Sequence, residues 1–414
     1  MNIICRLCGS NELVSVLDLG ASPPCESFLS QEQLDQPEPT YPLHLRVCPD
    51  CLLLQIPVLI TPEATFGGDY AYYSSYSTSW VEHAKRFVDQ AVDSLGLGPD
   101  SFVVEVAAND GYLLQHVVNR GMDCLGIEPS VNCSDAAREK GIPMLRAFLD
   151  EELAAEVRSA HRPADLVVAN NVWAHIPDIV GFTAGLRGLV ADHGCVSIEV
   201  HHALSLITSA QFDTIYHEHF QYWTVLAARR GLASGGLKLI NVELLPTHGG
   251  SIRLWAVPEE ADVAEHPRVA EIEAAERAAG LGSPEGYLGL AERVAMIRDD
   301  LLSFLIEARR AGRRVVAYGA PGKGNTLLNY CGIRPDLVAY AADRNPFKHG
   351  RYTPGTRIPV VSPEHLIDDA PDDVLVLPWN LRDEITAQLT ATLKPGTRLI
   401  WPMPSLDIET LGEK

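Results

Sequence analysis

Apolar residues recur along the chain in blocks that predict alternating strands and helices. Residues 79–95 carry apolar side chains at helical spacing, and residues 102–106 form a short apolar run typical of a buried strand. A turn of small residues, 107–111, follows this strand, and a helix is expected directly after it. Two further apolar runs, at 124–127 and 165–169, predict later strands. The central part of the chain is therefore expected to be an α/β domain.

A strand, a tight turn and a helix in this order are typical of the opening unit of a nucleotide-binding fold. Glu128 follows the turn by about 20 residues, where an acidic side chain can accept hydrogen bonds from ribose hydroxyls. A dinucleotide and S-adenosylmethionine both fit this arrangement. The turn retains only Gly111, whereas a pyrophosphate needs glycines that let the backbone approach it. The pattern therefore favours S-adenosylmethionine, a cofactor without phosphates.

A second α/β unit is predicted in the last third of the chain. The strand at 314–318 leads into a glycine loop, 319–326, whose backbone N–H groups would favour a phosphate anion. We expect Lys323 in this loop and Arg351 in a later basic cluster to contact a diphosphate; the alternative is that the loop serves only for packing. Further strands, which would complete a small parallel sheet, are predicted at 337–342, 374–377 and 398–401.

Four of the nine cysteines form two Cys-x-x-Cys pairs, Cys5 with Cys8 and Cys48 with Cys51. Each pair can present two thiolates to one tetrahedral ion, and four thiolates leave no open coordination position for catalysis. The pairs therefore predict a structural Zn²⁺ site that stabilises a small N-terminal domain, with a strand or two between the knuckles. The competing interpretation is a dithiol redox pair.

Length and charge restrict the classes of protein that remain. A chain of 414 residues is too long for one hydrophobic core, so two or three domains are expected. The net charge of −21 argues against general nucleic-acid binding, because a phosphate backbone would be repelled. No apolar stretch reaches the roughly 18 residues that a membrane span requires, and residues 1–6 lack a basic leader before an apolar run. We expect a cytoplasmic protein that acts away from membranes.

The segment Tyr216-His217-Glu218-His219 is the strongest candidate for acid–base chemistry. A histidine beside a carboxylate can move a proton near neutral pH. A polar surface turn and a partial metal site are the alternatives. A tyrosine-rich loop at 66–76 either projects its hydroxyls into a cavity or forms a seam between domains.

Several motifs in one order make the chain resemble the sugar C-methyltransferases, which build branched-chain deoxysugars on nucleotide carriers. The motifs are the two cysteine pairs, Glu105-Val106-Ala107-Ala108-Asn109-Asp110-Gly111, Ala169-Asn170-Asn171-Val172-Trp173-Ala174-His175, Tyr216-His217-Glu218-His219, His248-Gly249-Gly250-Ser251, Tyr318-Gly319-Ala320-Pro321-Gly322-Lys323-Gly324-Asn325 and Leu377-Pro378-Trp379-Asn380. The resemblance covers nearly the whole chain. It implies an α/β protein with a zinc-binding domain (1–65), a class I methyltransferase core with a Rossmann-like fold (66–285) and a C-terminal Rossmann-like domain that binds the nucleotide sugar (286–414).

The resemblance also implies a mechanism. A base removes the proton α to the ketone of a 4-keto deoxysugar, which is usually linked to thymidine diphosphate, and the enolate takes the methyl group. By resemblance His219 is the base, Glu218 orients it, and Tyr216 lies near the developing oxyanion; His217 is expected to point away. Both C-3 and C-5 flank the ketone, and we favour C-3.

The remaining site residues follow from the same resemblance. The expected contacts with S-adenosylmethionine are Glu105, Ala107, Asn109, Gly111, Glu128, Phe148 and Asn170. The expected contacts with the sugar nucleotide are Tyr70, Asn171, His175, Tyr222, Lys323 and Arg351. His175 as a helix cap, Phe148 as core and Tyr222 as a packing residue are the alternatives.

Other functions stay open from the residues alone. A nucleotide-sugar O-methyltransferase could use the same base. A nicotinamide-dependent nucleotide-sugar oxidoreductase would use the glycine loop at 319–326, but it leaves the segment 216–219 without a role. A zinc adaptor without catalysis is disfavoured by the many polar side chains at the ends of elements. We expect a monomer or a weak homodimer.

Overall fold

The computed structural model describes residues 3–68, 70 and 73–412. Its N-terminal part is a small antiparallel sheet of β1 (Val14–Ser22), β2 (Tyr41–Val47) and β3 (Leu54–Gln55). The two cysteine pairs flank β1 and β2, so two strands occupy the interval between the knuckles, as predicted. A short helix, α1 (Pro62–Phe66), leads into the central part.

The central part is a seven-stranded sheet between helices. The strands of this sheet are β4 (Phe102–Val106), β5 (Asp123–Ile127), β6 (Met144–Leu145), β7 (Ala164–Asn170), β8 (Val190–His201), β10 (Leu237–Leu245) and β11 (Ser251–Pro258). One more short strand of the central part, β9 (Gln221–Tyr222), lies outside this sheet. The helices of the central part are α2 (Thr78–Leu95), α3 (Leu114–Val118), α4 (Val131–Glu139), α5 (Glu151–Ala160), α6 (Ile179–Leu189), α7 (Ala203–Thr208), α8 (Val225–Ser234) and α9 (Pro267–Ala278).

The strand order of the central sheet is β10-β11-β8-β7-β4-β5-β6. Strands β4 to β8 run parallel, while β11 is antiparallel to β8 and to β10. The chain winds outwards in both directions from β4, so a crevice forms beyond the carboxyl ends of β4 and β7, where α/β folds of this kind bind their ligands. The turn at 107–111, Asn170 as the last residue of β7, and Asn171 directly after it lie at these ends.

The C-terminal part is a second, smaller Rossmann-like layer of helices on a sheet. Its elements are α10 (Leu290–Arg310), β12 (Val315–Tyr318), α11 (Gly322–Cys331), β13 (Ala341–Ala342), β14 (Val360–Val361), α12 (Pro363–Asp369), β15 (Asp373–Val376), α13 (Arg382–Thr392), β16 (Arg398–Trp401) and β17 (Asp407–Thr410). The strand order is β14-β13-β12-β15-β16-β17.

Two expectations for this sheet need correction. The strand predicted at 337–342 is reduced to Ala341–Ala342, because a turn in which Leu337 and Val338 donate to the Arg334 carbonyl precedes it. The sheet is also not purely parallel, since β17 pairs antiparallel with β16.

The N-terminal sheet packs against both other parts of the protein. One apolar core contains Leu45 of β2, Leu206 of α7 and Leu328 of α11. In addition, β9 of the central part pairs antiparallel with β3, so Leu54 lies opposite Tyr222. The chain thus returns to the N-terminal sheet directly after the segment 216–219. Among the residues that the structure describes, no helix is both long and apolar enough to cross a membrane.

Candidate active site

Four thiols converge at the N-terminal knuckles. The sulfur atoms of Cys5, Cys8, Cys48 and Cys51 all lie within 4.8 Å of one another. An ion about 2.3 Å from each sulfur would give tetrahedral edges of about 3.8 Å, so the cluster fits Zn²⁺. Gln55 donates from Nε2 to the Cys5 sulfur at 3.2 Å, which favours the thiolate form that a metal needs. The residues therefore fit the expected structural zinc.

The hydrogen bonds of His219, within the candidate catalytic segment, fix which of its ring nitrogens carries the proton. Its Nδ1 is 3.1 Å from the Thr214 carbonyl oxygen, which can only accept, so Nδ1 carries the proton. Nε2 then holds a lone pair and accepts from the Tyr216 hydroxyl at 2.8 Å. Burial lowers the pKa of His219 well below its ordinary value and raises that of Tyr216. The pair is a neutral imidazole with a protonated phenol.

The structure corrects the expected role of Glu218. The two ring nitrogens of His219 form hydrogen bonds, Nδ1 with the Thr214 carbonyl and Nε2 with the Tyr216 hydroxyl, so the Thr214 carbonyl orients the ring. The Glu218 carboxylate instead accepts from the thiol of Cys25, at 3.1 Å. Burial raises the pKa of Glu218 to about 7. Glu218 thus joins the segment 216–219 to the N-terminal part of the chain.

Aromatic side chains surround the Tyr216–His219 pair. The His175 ring centroid is 4.8 Å from that of His219, and His175 Nδ1 donates to the Glu218 carbonyl at 2.6 Å. Burial lowers the pKa of His175 to about 4, so this ring is neutral too. Tyr222 lies 6.2 Å from His219 between ring centroids, is buried, and donates to the Thr214 carbonyl at 3.4 Å.

His217 points away from this group, as expected, but the segment forms a turn, in which His219 donates its N–H to the Tyr216 carbonyl at 2.9 Å, and not the extended strand on which the expectation was based. Its side chain is buried, and Nε2 donates to the Tyr41 carbonyl of β2 at 3.0 Å.

The turn after β4 has the shape of a cofactor cradle. Ala107 and Asn109 adopt left-handed φ angles of 58° and 49°. The Glu128 carboxylate accepts from the backbone N–H groups of Asn109 at 2.9 Å and Ser130 at 2.8 Å, and a carboxylate has about four accepting positions, so it can also accept from a ribose hydroxyl. At Gly111, where φ is 74°, an added Cβ would collide with the side chain of Ile142.

The other predicted cofactor residues differ in accessibility. Glu105 is fully buried beside the Tyr112 hydroxyl, and burial raises the pKa of its carboxyl well above the ordinary value. Phe148 is 36% exposed and can offer a ring face to a ligand. The Asn170 side-chain oxygen is buried without a hydrogen-bond partner among the described residues, and Asn171 has a φ of 53°.

The tyrosine-rich loop covers the cofactor turn. Ser74 donates its N–H to the Asn109 side-chain oxygen at 2.9 Å, and the Ser75 hydroxyl donates to Asp110. Nearer the start of the loop, the Phe66 ring lies 5.1 Å from the Tyr70 ring and 5.3 Å from the His175 ring. The loop therefore contacts both the turn at 107–111 and the ring of His175. Residues 69, 71 and 72 of the loop lie outside the described residues.

The C-terminal part contributes polar and aromatic side chains to its boundary with the central part. Lys323 Nζ lies 5.3 Å from the Trp379 ring centroid and donates to the Asn380 side-chain oxygen at 3.2 Å. Trp379 donates from Nε1 to the buried Asp213 carboxylate at 2.6 Å. The charge of Lys323 also contributes to lowering the pKa of His248 to about 4, although burial is the larger cause. Lys323 thus faces the central part of the chain.

The expected phosphate cradle at the start of α11 is filled by the N-terminal part of the chain. Glu26 accepts from the Gly322 N–H and lies 3.2 Å from Lys348 Nζ. An added Cβ at Gly322 would come within 2.8 Å of the Cys25 sulfur. The helix N-terminus that was predicted to bind an anion therefore binds a carboxylate of the protein itself.

Arg351 lies at the edge of the C-terminal sheet, where its carbonyl accepts from the Val360 N–H at 2.8 Å. It is exposed and lines a surface pocket with His349, Tyr352 and His365, and Lys323 is not among the lining residues. The expectation that both basic residues contact one diphosphate therefore stays a prediction.

Comparison with known proteins identifies the family. Residues 5–66 match a family model described as a zinc binding domain, and residues 80–242 match a methyltransferase domain. Residues 246–404 match the C-methyltransferase C-terminal domain. A curated relative, the C-methyltransferase NovU of Streptomyces niveus, is 34% identical over 400 residues, which cover 97% of this chain and 95% of that protein.

The chain belongs to the C-methyltransferase family. This C-methyltransferase uses S-adenosylmethionine in its central class I core and has a zinc-binding N-terminal domain, as predicted.

Solved methyltransferase structures are also similar to part of the chain. The magnesium protoporphyrin IX methyltransferase of Synechocystis PCC 6803 has 16% identity and a TM-score of 0.33, over 44% of this chain and 81% of that one. An S-adenosylmethionine-dependent methyltransferase of Clostridium acetobutylicum has 12% identity and a TM-score of 0.35, over 43% and 92%.

Sequence reasoning missed several residues that this C-methyltransferase places at the site. Asp213 and Trp379 are 166 positions apart, and no local pattern links them. The Cys25–Glu218 contact spans 193 positions and involves a cysteine outside both pairs. Asp213 alone carried a signal, because an acidic residue within the apolar flank of the segment 216–219 is unusual.

Proposed function

We propose that this C-methyltransferase acts on a nucleotide-linked 4-keto deoxysugar, carried by thymidine diphosphate, and transfers the methyl group to C-3 through an enolate. The observation that carries the proposal is the partly buried Tyr216–His219 pair, whose phenol oxygen and imidazole Nε2 lie 2.8 Å apart. Carbon methylation needs a carbanion equivalent, and an enolate is formed by a base and a hydrogen-bond donor that act together on an α-proton and a ketone.

His219 is the base in this proposal. The Thr214 carbonyl holds the proton on Nδ1, which leaves Nε2 as the only basic atom of the ring. The low pKa, caused first by burial and then by the neighbouring His175, keeps the ring unprotonated at neutral pH. A neutral imidazole is the form that can accept a proton.

Tyr216 is the donor to the ketone oxygen. Without substrate its hydroxyl caps the lone pair of His219 Nε2. When the sugar binds, the hydroxyl turns to the 4-keto oxygen, and Nε2 becomes free to take the C-3 proton. The C–H bond breaks, its electron pair moves into the enolate, and the negative charge develops on the oxygen that Tyr216 contacts. The raised pKa of Tyr216 keeps its proton on the phenol throughout.

The methyl donor is proposed to lie at the turn after β4, with Glu128 on the ribose and the loop containing Ser74 above it. When bound, S-adenosylmethionine supplies an electrophilic methyl group, which the enolate carbon takes as the carbon–sulfur bond breaks and its electrons stay on sulfur. The contact between Ser74 and Asn109 shields this site from water. The proton on His219 leaves to solvent after the product departs.

Lys323 is proposed to contact the diphosphate. Its charge lies at the boundary between the central and C-terminal parts, beside Trp379 and close enough to influence the titration of Asp213 and His248. An ammonium group in this partly enclosed place can bind a phosphate oxygen as a point charge. Arg351 has no part in this proposal, because it is exposed and lines a pocket that does not include Lys323.

The test is product analysis. The enzyme is incubated with S-adenosylmethionine and a thymidine-diphosphate 4-keto-6-deoxysugar, and the new methyl group is located by NMR. We expect a methyl on C-3 and loss of the C-3 proton signal. A methyl on oxygen would show an O-methyltransferase, and a methyl on C-5 would refute the proposed position.

A further inference from the structure

Arg6 links the cysteine cluster to the catalytic segment. It lies between Cys5 and Cys8 in the first knuckle, yet its guanidinium extends to the central part of the chain. Nη1 donates to the Ile56 carbonyl at 2.7 Å, and Nη2 donates to the Phe220 carbonyl, which directly follows His219. A residue of the zinc knuckle therefore holds the backbone next to the candidate base.

Gln221 extends this link to the second histidine. Its side-chain oxygen accepts from Arg6 Nη2 at 3.2 Å, and its Nε2 donates to the carbonyls of Trp173 at 2.5 Å and Ile176 at 2.8 Å. These carbonyls flank the turn that bears His175. Gln221 is fully buried, so these bonds are shielded from water.

The backbone makes a parallel connection between the same two segments, because Phe220 donates its N–H to the Ala174 carbonyl at 2.7 Å. The 4.8 Å spacing of the His175 and His219 rings is thus set by bonds that converge on Phe220 and Gln221.

The metal site holds the other end of the link. Gln55 donates to the Cys5 sulfur at 3.2 Å and accepts from the Arg6 backbone N–H, also at 3.2 Å. A divalent ion with four thiolates carries net negative charge, which the Arg6 cation offsets. Groups just outside a metal's ligands commonly orient those ligands; here they also orient the active-site segment.

We propose that Arg6 is a positioning residue, and that the placement of His219 and His175 depends through Arg6 on a metal-loaded cysteine cluster. The zinc domain then does more than stabilise itself: it sets the geometry of the catalytic segment. The proposal rests on the proposed role of His219 for its effect on catalysis, but its structural half concerns only the order of residues 214–222.

The experiment compares Arg6→Gln with Arg46→Gln in the full-length, zinc-loaded enzyme. Arg46 is a matched control, since it is half-buried in the N-terminal domain like Arg6, but its guanidinium binds His44 of its own strand, β2. For each variant we measure zinc per chain, amide hydrogen exchange of residues 214–222 with β15 as an internal reference, and kcat and KM separately.

In Arg6→Gln we expect zinc to be retained, exchange in residues 214–222 to rise about tenfold or more, and kcat to fall about 10–100-fold with a smaller change in KM. Arg46→Gln should match the wild type. Equal exchange in the two variants would overturn the proposal. Increased exchange without a loss of kcat would overturn the catalytic half, whichever sugar nucleotide is the substrate.

Two further measurements keep the proposal falsifiable if Arg6→Gln folds poorly. Arg6→Lys retains the charge but cannot reach both carbonyls, so its exchange rate should lie between those of wild type and Arg6→Gln. Wild-type enzyme treated with a chelator should show the same local rise in exchange at residues 214–222 while β15 stays protected. Unchanged exchange after zinc removal would overturn the dependence on the metal. Neither measurement uses the sugar substrate, so a wrong substrate assignment would not affect them.

Discussion

Removing one hydroxyl from the catalytic pair should separate catalysis from folding. In Tyr216→Phe the ring and its packing remain, and only the hydrogen bond to His219 Nε2 at 2.8 Å is lost. A neutral hydrogen bond contributes about 0.5–1.5 kcal/mol to stability, so the free energy of unfolding should fall by about 1 kcal/mol. The transition state should lose more, because loss of one oxyanion donor typically costs about 2.7–4 kcal/mol, or about 10²–10³-fold in kcat.

The assay is the initial rate of methyl transfer from labelled S-adenosylmethionine at varied sugar-nucleotide concentration. Tyr287→Phe is the matched control, since Tyr287 is a fully buried tyrosine whose hydroxyl donates to the Leu281 carbonyl at 3.1 Å. It should lose about as much stability and no activity. A kcat for Tyr216→Phe within about threefold of wild type, or a loss confined to KM, would refute the reasoning.

Three further predictions concern the metal, the pH profile and the nucleotide. Cys48→Ser should lower both zinc content and thermal midpoint, measured by elemental analysis and by thermal unfolding, because it removes one thiolate of four. The acid limb of kcat/KM, which reports the free enzyme, should lie well below pH 6.5, because His219 has a lowered pKa and loses its basic form only when protonated. Lys323→Met should weaken binding of thymidine diphosphate about 10–100-fold by calorimetry, since a charge-assisted bond is worth about 1.5–3 kcal/mol, while Arg351→Met should leave it unchanged.

A different result would contradict each of these three predictions. A Cys48→Ser enzyme with one zinc and an unchanged thermal midpoint would contradict the structural metal. An acid limb near or above pH 6.5 would show that His219 is not the depressed group that limits the reaction. Equal effects of the Lys323 and Arg351 variants would show that the nucleotide does not lie at the boundary between the central and C-terminal parts.

The sequence predicted features that depend on neighbouring residues. The strand at 102–106, its turn and the later strand that ends at Asn170 follow from short apolar runs with small or polar residues at their ends, and the structure confirms them. The cysteine pairs could also be read directly, because ligand spacing within a knuckle is a local property.

Features that depend on distant segments could not be predicted. Strand β9 has two residues, and its pairing with β3 is set by tertiary packing and by Arg6 rather than by a propensity of its own. The glycine loop before α11 had the composition of a phosphate site, but Glu26, almost 300 positions earlier, fills the helix N-terminus. In the same way, Glu218 was assigned to His219 because it is adjacent in sequence, while the fold gives it Cys25 as its partner.

The most direct test of the account is proton exchange at the sugar ring in the absence of a methyl donor. A thymidine-diphosphate 4-keto-6-deoxysugar is incubated with enzyme in deuterium oxide and followed by proton NMR. The account predicts that the C-3 proton signal disappears with wild-type enzyme and persists with His219→Asn, while both proteins still bind the sugar nucleotide. Exchange at an undiminished rate in the His219→Asn enzyme would contradict the assignment of His219 as the base.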